Sequence, residues 1–436
     1  MRKMIKMSMA AVMMMGVGAV SAQAEGTDIL TNIKAKGQVR ARYEMVDAND
    51  VAKNPNANAF TNRLSLGVSA DLLGTDWLSA YVEMTDVRAL NDNYNDASGD
   101  NGGEWHDTVA DAEQTRLTQA YIDIKYGKTK LRAGRQMINL DNQRFVGAVD
   151  WRQMPQTFDA YTLTNNSIDN LNLTAVYVNQ VNRVFADDTQ APATYNTAAA
   201  DTRTLLLNGS YKVMDELKVT AYDYMIGTGT LGTVGSDTYG LALTGDIKAA
   251  DGVKVGYRAE YAKQTDATME NSGSNNSTSH VDANYMNFQL NADVSGFLAG
   301  IQYEVLSGDG DGTAGDEKAF ATPLATLHAH NGFADMFLTT PTDGLEDLNI
   351  CLGYKSKDFG MLKATYHDYT SEVGNVDYGT ELDVTYARAI PGVNNLSGML
   401  KVADYNADEE YVTVPTNTNV DTTKFWAMLD YKFATK

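Results

Sequence analysis

Apolar and polar residues alternate with a period of two along most of this chain. In QVRARYEM, Val39, Ala41, Tyr43 and Met45 point to one side while Gln38, Arg40, Arg42 and Glu44 point to the other. RLSLGVSADL sets Leu64, Leu66, Val68, Ala70 and Leu72 against Arg63, Ser65, Ser69 and Asp71. KVGYRAEYA and NYMNFQLNADV repeat the scheme, with Lys254, Arg258 and Glu260 and then Asn287, Gln289, Asn291 and Asp293 on the polar side. The count predicts about eighteen strands of roughly ten residues, the length that crosses a bilayer at a tilt. Their expected starts are 37, 61, 77, 116, 130, 158, 171, 203, 217, 237, 253, 284, 297, 347, 361, 380, 396 and 423.

The connections are sorted by length. GTD, GKT, MDE and SG follow the second, fourth, eighth and twelfth strands as tight turns. Links after odd strands are long and rich in Asp, Asn and Gly, as in NDNYNDASGDNGGEWHD and QTDATMENSGSNNSTSH. Such sorting predicts antiparallel hairpins with every long loop at one end, the plan of outer-membrane barrels. A soluble Greek-key sandwich has no reason to sort its loops. In lipid an open sheet edge leaves backbone polar groups unsatisfied, so the sheet must close. The expected fold is therefore all-β, a transmembrane antiparallel up-and-down β-barrel. Outward tyrosines near strand ends (Tyr43, Tyr126, Tyr257, Tyr386 and Tyr431) suit interfacial girdles.

The chain ends FWAMLDYKFATK, where Phe425, Ala427, Leu429, Tyr431 and Phe433 alternate outward. This is similar to the closing strand that barrel-assembly machinery recognises, although Ala-Thr-Lys follows Phe433. The first residues carry Arg2, Lys3 and Lys6, an apolar run to Val20, and a small-x-small site at Ala22-Gln23-Ala24. That is a secretory signal peptide at 1–24, leaving one barrel domain at 25–436. Its removal takes the formal charge from −21 to −24. So acidic a chain, with few basic clusters, is not built for nucleic acid. A single cysteine, Cys351, rules out an internal disulfide.

One stretch breaks the alternation. GRQMINLDNQRFVGAVDWRQMPQTFDA, Gly134 to Ala160, gathers Arg135, Arg144 and Arg152 with Phe145, Trp151 and Phe158. It predicts a loop near 136–157 that folds into the lumen. Its motif G-R-Q…D-N-x-R-F-x-G…W-R-Q…Q-T-F-D-A resembles the alginate-export family of outer-membrane porins. LATLHAHNGFADMF (Leu324 to Phe337) and GTELDVTY (Gly379 to Tyr386) are similar to segments of the same family. The resemblance implies an eighteen-stranded monomeric barrel narrowed by loops, arginine-lined in some members for polyanionic polysaccharide.

The inward residues carry both signs: Arg40, Arg42, Arg63, Lys125, Arg132, Lys254 and Arg258 with Glu44, Asp71, Glu83, Asp123, Glu260 and Asp293. For Arg135, Arg144 and Arg152 two readings stand. A guanidinium keeps its charge and forks onto carboxylates, so they can meet passing anions. Equally, they can pair with Asp141, Asp150 or Asp159 and fasten the loop. The expected contacts to solute are these three with Arg40, Arg42, Arg63, Arg132, Arg258, Glu44, Asp123 and Glu260.

SGDGDGTAGDE offers Asp309, Asp311 and Asp316 as candidate cation ligands. Ala314 stands where a Ca²⁺ loop needs Gly, so a solvated loop is the reading. The acidic loop at 89–115 is likewise expected to be hydrated, with divalent bridging to lipopolysaccharide as the alternative. His328 and His330 have no partner at metal spacing, and GTGTLG at 227–232 opens no helix. No grouping resembles a hydrolase nucleophile. The chain is expected to be no enzyme and to need no cofactor. It reads as an outer-membrane channel for passive diffusion of small hydrophilic solutes, with anions favoured. The alternatives are a specific transporter of acidic, alginate-like polysaccharide and a barrel whose loops act as enzyme or adhesin.

Overall fold

A computed structural model describes residues 29–49, 54–98, 103, 105–186, 199–227, 235–269, 281–309, 319–408 and 420–435. The leader at 1–24, Asp311, Asp316 and most of GTGTLG lie outside them. The described residues form eighteen strands in this order: β1 Leu30–Ala48, β2 Ala57–Leu72, β3 Leu78–Ala89, β4 Gln114–Tyr126, β5 Thr129–Gln136 and β6 Thr157–Asn165. Next come β7 Leu171–Asn182, β8 Ala199–Met214, β9 Leu217–Ile226, β10 Ser236–Ala250, β11 Val253–Asp266 and β12 Asp282–Val294. β13 Phe297–Leu306, β14 Leu345–Ser356, β15 Gly360–Thr370, β16 Asp377–Ala389, β17 Leu396–Ala407 and β18 Thr422–Ala434 complete the wall.

Each strand pairs antiparallel with its neighbours in sequence, and β1 pairs with both β2 and β18. The closing seam runs from Lys36 opposite Ala434 to Ala48 opposite Thr422. No edge remains, so the ladder satisfies the backbone all the way round. Seventeen strands begin within four residues of the sequence expectation. β1 begins seven earlier, because a register shift between Thr31 and Lys34, with Asn32 at φ 49°, breaks the period of two there.

The two faces follow the alternation. Leu290, Ile350, Leu352, Leu400 and Leu429 stand exposed on the outside, as a lipid-facing band requires. At the short-turn end a belt of rings runs Phe297, Tyr354, Phe359, Tyr386, with neighbouring centroids 4.9, 5.8 and 5.3 Å apart. Its hydroxyls are held as well: Tyr386 donates to the Phe359 carbonyl at 2.8 Å. The inner face changes character along the barrel. On β1, Gln38, Arg40, Arg42, Glu44 and Val46 are buried, yet Lys36, toward the short turns, is exposed. On β18, Lys424, Trp426 and Asp430 are buried while Lys432 is exposed. The half of the lumen beneath the long loops is filled with protein, and the other half is an open vestibule.

A closed ladder of this kind resists detergent at room temperature. An unheated sample is expected to migrate anomalously on a denaturing gel and to shift on boiling; identical mobility before and after heating contradicts the closed barrel.

Candidate functional site

The charged inward side chains are sorted around the wall. Glu304 (β13), Asp347 (β14), Glu381 and Asp383 (β16) make an acidic arc, with His367 (β15) between them. The next four strands carry Lys401 (β17), Lys424 (β18), Arg40 and Arg42 (β1) and Arg63 (β2) as a basic arc. All are buried, and a buried charge costs several kcal/mol unless it is paired. The wall supplies some partners itself: Arg40 to Asp430 at 3.1 Å, Arg42 to Glu44 at 3.3 Å, and His367 Nδ1 to Asp347 at 2.9 Å. The rest come from the described residues of three long loops that enter the lumen: L2 (90–98, 103 and 105–113), L3 (137–156) and L7 (307–309 and 319–344).

L3 brings two arginines and two large rings. Arg144 donates through Nε to Glu304 at 3.0 Å and through Nη2 to Asn331 of L7 at 3.0 Å. Arg152 reaches Glu44 at 3.0 Å and Asp335 of L7 at 3.5 Å. Opposite charge travels the other way too: Asp150 accepts from Arg63 at 2.6 Å. The carbonyls of Asp150 and Trp151 accept from Arg40 at 2.8 Å and Arg42 at 2.6 Å. Phe145 lies among Tyr222, Tyr285 and Phe320, with centroids 5.5, 5.1 and 5.9 Å away. Trp151 stacks on His328 of L7 at 4.4 Å and meets Trp426 edge-on at 5.9 Å.

L7 is zipped to L3 and docked on the acidic arc. Gly147 N donates to the Leu324 carbonyl at 2.8 Å, and Thr326 N to the Gln143 carbonyl at 3.0 Å. The Phe333 and Ala334 amides donate to Asp383 at 3.1 Å and Glu381 at 2.7 Å. That approach needs the left-handed pair Asn331 (φ 52°) and Gly332 (φ 84°); a Cβ at Gly332 would run into the Glu381 carboxylate. Phe337 packs 4.6 Å from Tyr369. Asp335 reaches the basic arc through Lys424 at 3.0 Å. Burial pushes Asp335 up, but His328, Lys424 and Arg152 together hold it well below the carboxylate range.

L2 was expected to be hydrated, and its inner part is not. Asp111 is buried, pairs with Arg42, and accepts the Gln153 amide at 2.8 Å. Alternation in neighbouring strands cannot report on a loop, so this carboxylate looked solvated in the sequence. Asp309 is buried as well, so it is not a solvated loop side chain either.

Of the eleven expected residues, Arg40, Arg42, Glu44, Arg63, Arg144 and Arg152 converge where the loops meet the wall. Arg132 and Asp123 sit apart, as a bidentate pair at 2.7 and 2.8 Å over the Tyr121 ring, on the vestibule side. Arg258 and Glu260 pair on β11 at 2.6 Å. Arg135 does not belong with the loop arginines. It lies in β5 and shares the alternating outer face of Leu131 and Ala133. Its two bonds to Asp159, 2.7 and 2.9 Å, close on that face. Lys401, Lys424, Glu304, Asp335, Glu381 and Asp383 were not singled out from sequence. Five of them alternate inward on strands, so the period of two was the available signal.

Below L3 the vestibule opens as a cavity of about 480 Å³, lined by Lys36, Gln38, Arg63, Glu83, Gln119 and Asp150. The profile of the family described as "Alginate export" matches residues 32–375. The chain belongs to this family. Its barrel is that of an outer-membrane channel, integral to the outer membrane. Among solved structures, OccK1 (OpdK) of Pseudomonas aeruginosa shares 13% identity at a TM-score of 0.69, over 94% of this chain and 100% of that one. OccAB3 of Acinetobacter baumannii shares 14% at 0.69, over 93% and 100%. OccD3 (OpdP) of P. aeruginosa shares 16% at 0.66, over 95% and 94%. At such identities the likeness is one of fold. Curated protein sequences give no match.

Removing one partner of a buried pair costs about 3–5 kcal/mol. Asp111→Ala, which leaves Arg42 short of a carboxylate, is expected to lower the temperature of the heat-induced gel shift and expose L2 and L3 to protease. Unchanged protease resistance and shift temperature would place Asp111 outside the docking.

Proposed function

We propose that this member of the family is a passive diffusion channel for small hydrophilic solutes, with a preference for anions. The observation that carries the reading is the cavity beneath L3. Its volume suits a small molecule, and its charged lining is Lys36, Arg63 and Lys432 against Glu83 and Asp150, three cations to two anions. Water in such a lumen removes the desolvation cost of crossing lipid, and the lining charges bias which ions enter. Conduction of this kind needs no bond to be made or broken, so the reading leaves no role for catalysis. A neighbour in fold, OpdK of P. aeruginosa, has a structure described as being with vanillate, a small carboxylate, which suits the anion reading.

In this reading the expected site residues divide by task. Lys36 and Arg132 border the open vestibule and meet solutes, while Arg63, buried and paired with Asp150, fastens L3. Arg40, Arg42, Arg144, Glu44 and Glu260, all buried, and Arg152, paired with Glu44 and Asp335, fasten loops or brace the wall. Asp123 holds Arg132 in place. The family description favours a second reading, passage of an acidic polysaccharide. Against it, the arginines a polymer would need are engaged by L2, L3 and L7. The proposal also includes removal of residues 1–24 on export and recognition of β18 by the assembly machinery. Lipid surrounds the outer face, and lipopolysaccharide meets its loop-end rim.

Reversal potentials across a planar bilayer under a salt gradient test the reading. Lys36→Gln/Lys432→Gln is expected to lower the anion preference at least twofold, while Arg144→Gln leaves it within error. Equal selectivity in the vestibule double variant contradicts the assignment. Block by submicromolar oligouronates, with little effect of small carboxylates, would favour the polysaccharide reading instead.

A further inference from the structure

L7 carries two histidines, and both are enclosed beside cations. His328 sits in the short 3-10 turn Leu327–Ala329, between the rings of Trp151 (4.4 Å) and Phe333 (5.3 Å). Its Nδ1 lies 2.7 Å from Asp335, so that nitrogen carries the proton and donates. Its Nε2 lies 3.1 Å from the Lys401 ammonium, which has only protons to give, so Nε2 accepts. The ring is therefore neutral by geometry. Lys401 itself is caged, 3.5 Å from Phe333 and 4.0 Å from Trp151. Facing this imidazole are Asp335 on L7, Arg152 on L3, Lys401 on β17, Asp383 on β16, Lys424 on β18, and Arg42 and Glu44 on β1. A second proton would set an N–H against the Lys401 ammonium at hydrogen-bond distance, and both groups are buried.

His330, two residues on, has the same problem by another route. Its Nε2 is buried with no hydrogen-bond partner among the described residues, and Arg144 and the Asn142 backbone of L3, Glu304 of β13 and Arg258 of β11 face the ring, with Glu260 paired to Arg258. Protonation there creates a buried donor with nothing to accept it.

We propose that His328 and His330 are positioning residues of the channel: as neutral rings they hold L7 in the lumen against L3 and the wall, and acid releases L7 and widens the passage. The direction follows from linkage. Burial outweighs the pull of Asp335 and, aided by Lys401 and Arg152, brings His328 down to about 4. Burial and Arg144 bring His330 down to about 3. An undocked loop would titrate near the ordinary value of about 6.5. Docking is thus fully present above that value and weakens as pH falls through the window from 6.5 to 4. For His328 alone the shift of about 2.5 units changes the docking equilibrium by roughly 300-fold.

The proposal rests on the channel reading, and conduction at pH 7 tests that reading separately. Single-channel conductance of the full-length barrel in a planar bilayer is recorded while the loop-side chamber is titrated from pH 7.5 to 4. Wild type is expected to step reversibly to a larger conductance between pH 6.5 and 4. His328→Gln/His330→Gln, shown to be folded by its heat-induced gel shift, is expected to lack the step. Hydrogen–deuterium exchange of wild type gives a second readout: protection of residues 319–344 falls at pH 4.5, after correction for intrinsic rates, while the strands keep theirs. A wild-type conductance flat across that range overturns the proposal. So does a step of the same size in the double variant, or unchanged protection of L7.

Discussion

Everything inside this barrel depends on one constraint: charges taken out of water must meet opposite charges. An eighteen-stranded wall encloses more space than its own side chains fill, and its inner face is polar by necessity of the period-two pattern. Here the inner charges are largely grouped by sign. A basic arc spans β17, β18, β1 and β2, and an acidic arc spans β13 to β16. Asp430 and Glu44 meet part of the basic charge and His367 pairs with Asp347, and the remainder is left to the loops. L3, L7 and L2 supply what each arc lacks, with Arg144 delivered to Glu304, Asp335 to Lys424, Asp150 to Arg63 and Asp111 to Arg42. Phe145 and Trp151 of L3 and Phe337 of L7 then add ring contacts to the wall.

This arrangement explains why arginines interrupt an alternating sequence. The stretch around Arg144 and Arg152 is a loop that must fit a wall, so its residues answer to partners on distant strands rather than to a local period. The same logic separates fastening from selecting. A guanidinium that is buried and doubly engaged has little left for a solute, whereas Lys36 and Arg132 border open space. A wall that divides labour in this way can vary its vestibule without loosening its plug.

Much of the fold was legible in the sequence because strand alternation and loop sorting are local signals. Strand number, sidedness and the loop-rich end all follow from them. β1 began earlier than expected because the bulge at Thr31–Lys34 destroys the pattern that betrays a strand. The site was legible in part. Arg40, Arg42, Glu44 and Arg63 announce themselves as inward polar positions on clean strands. Arg135 misled, since its closeness in sequence to Arg144 hides the fact that it is the penultimate residue of β5 and points outward. Asp111 and Asp335 were invisible for the converse reason: a loop carboxylate looks solvated until the cation it meets, on a strand far away in sequence, is known. Burial of loop residues is a tertiary fact and leaves no periodic trace.

The central claim is that charge complementarity, rather than loop length or shape, keeps the long loops in the lumen. A charge swap at Arg144 and Glu304 tests it most directly. Channel conductance and its open-state noise would be compared for Arg144→Glu, Glu304→Arg and the two together. The account predicts that each single reversal, which sets like charges about 3 Å apart, gives a larger and noisier channel, and that the double reversal returns both quantities most of the way to wild type. Single reversals that leave conductance unchanged, or a double no closer to wild type than either single, would contradict it.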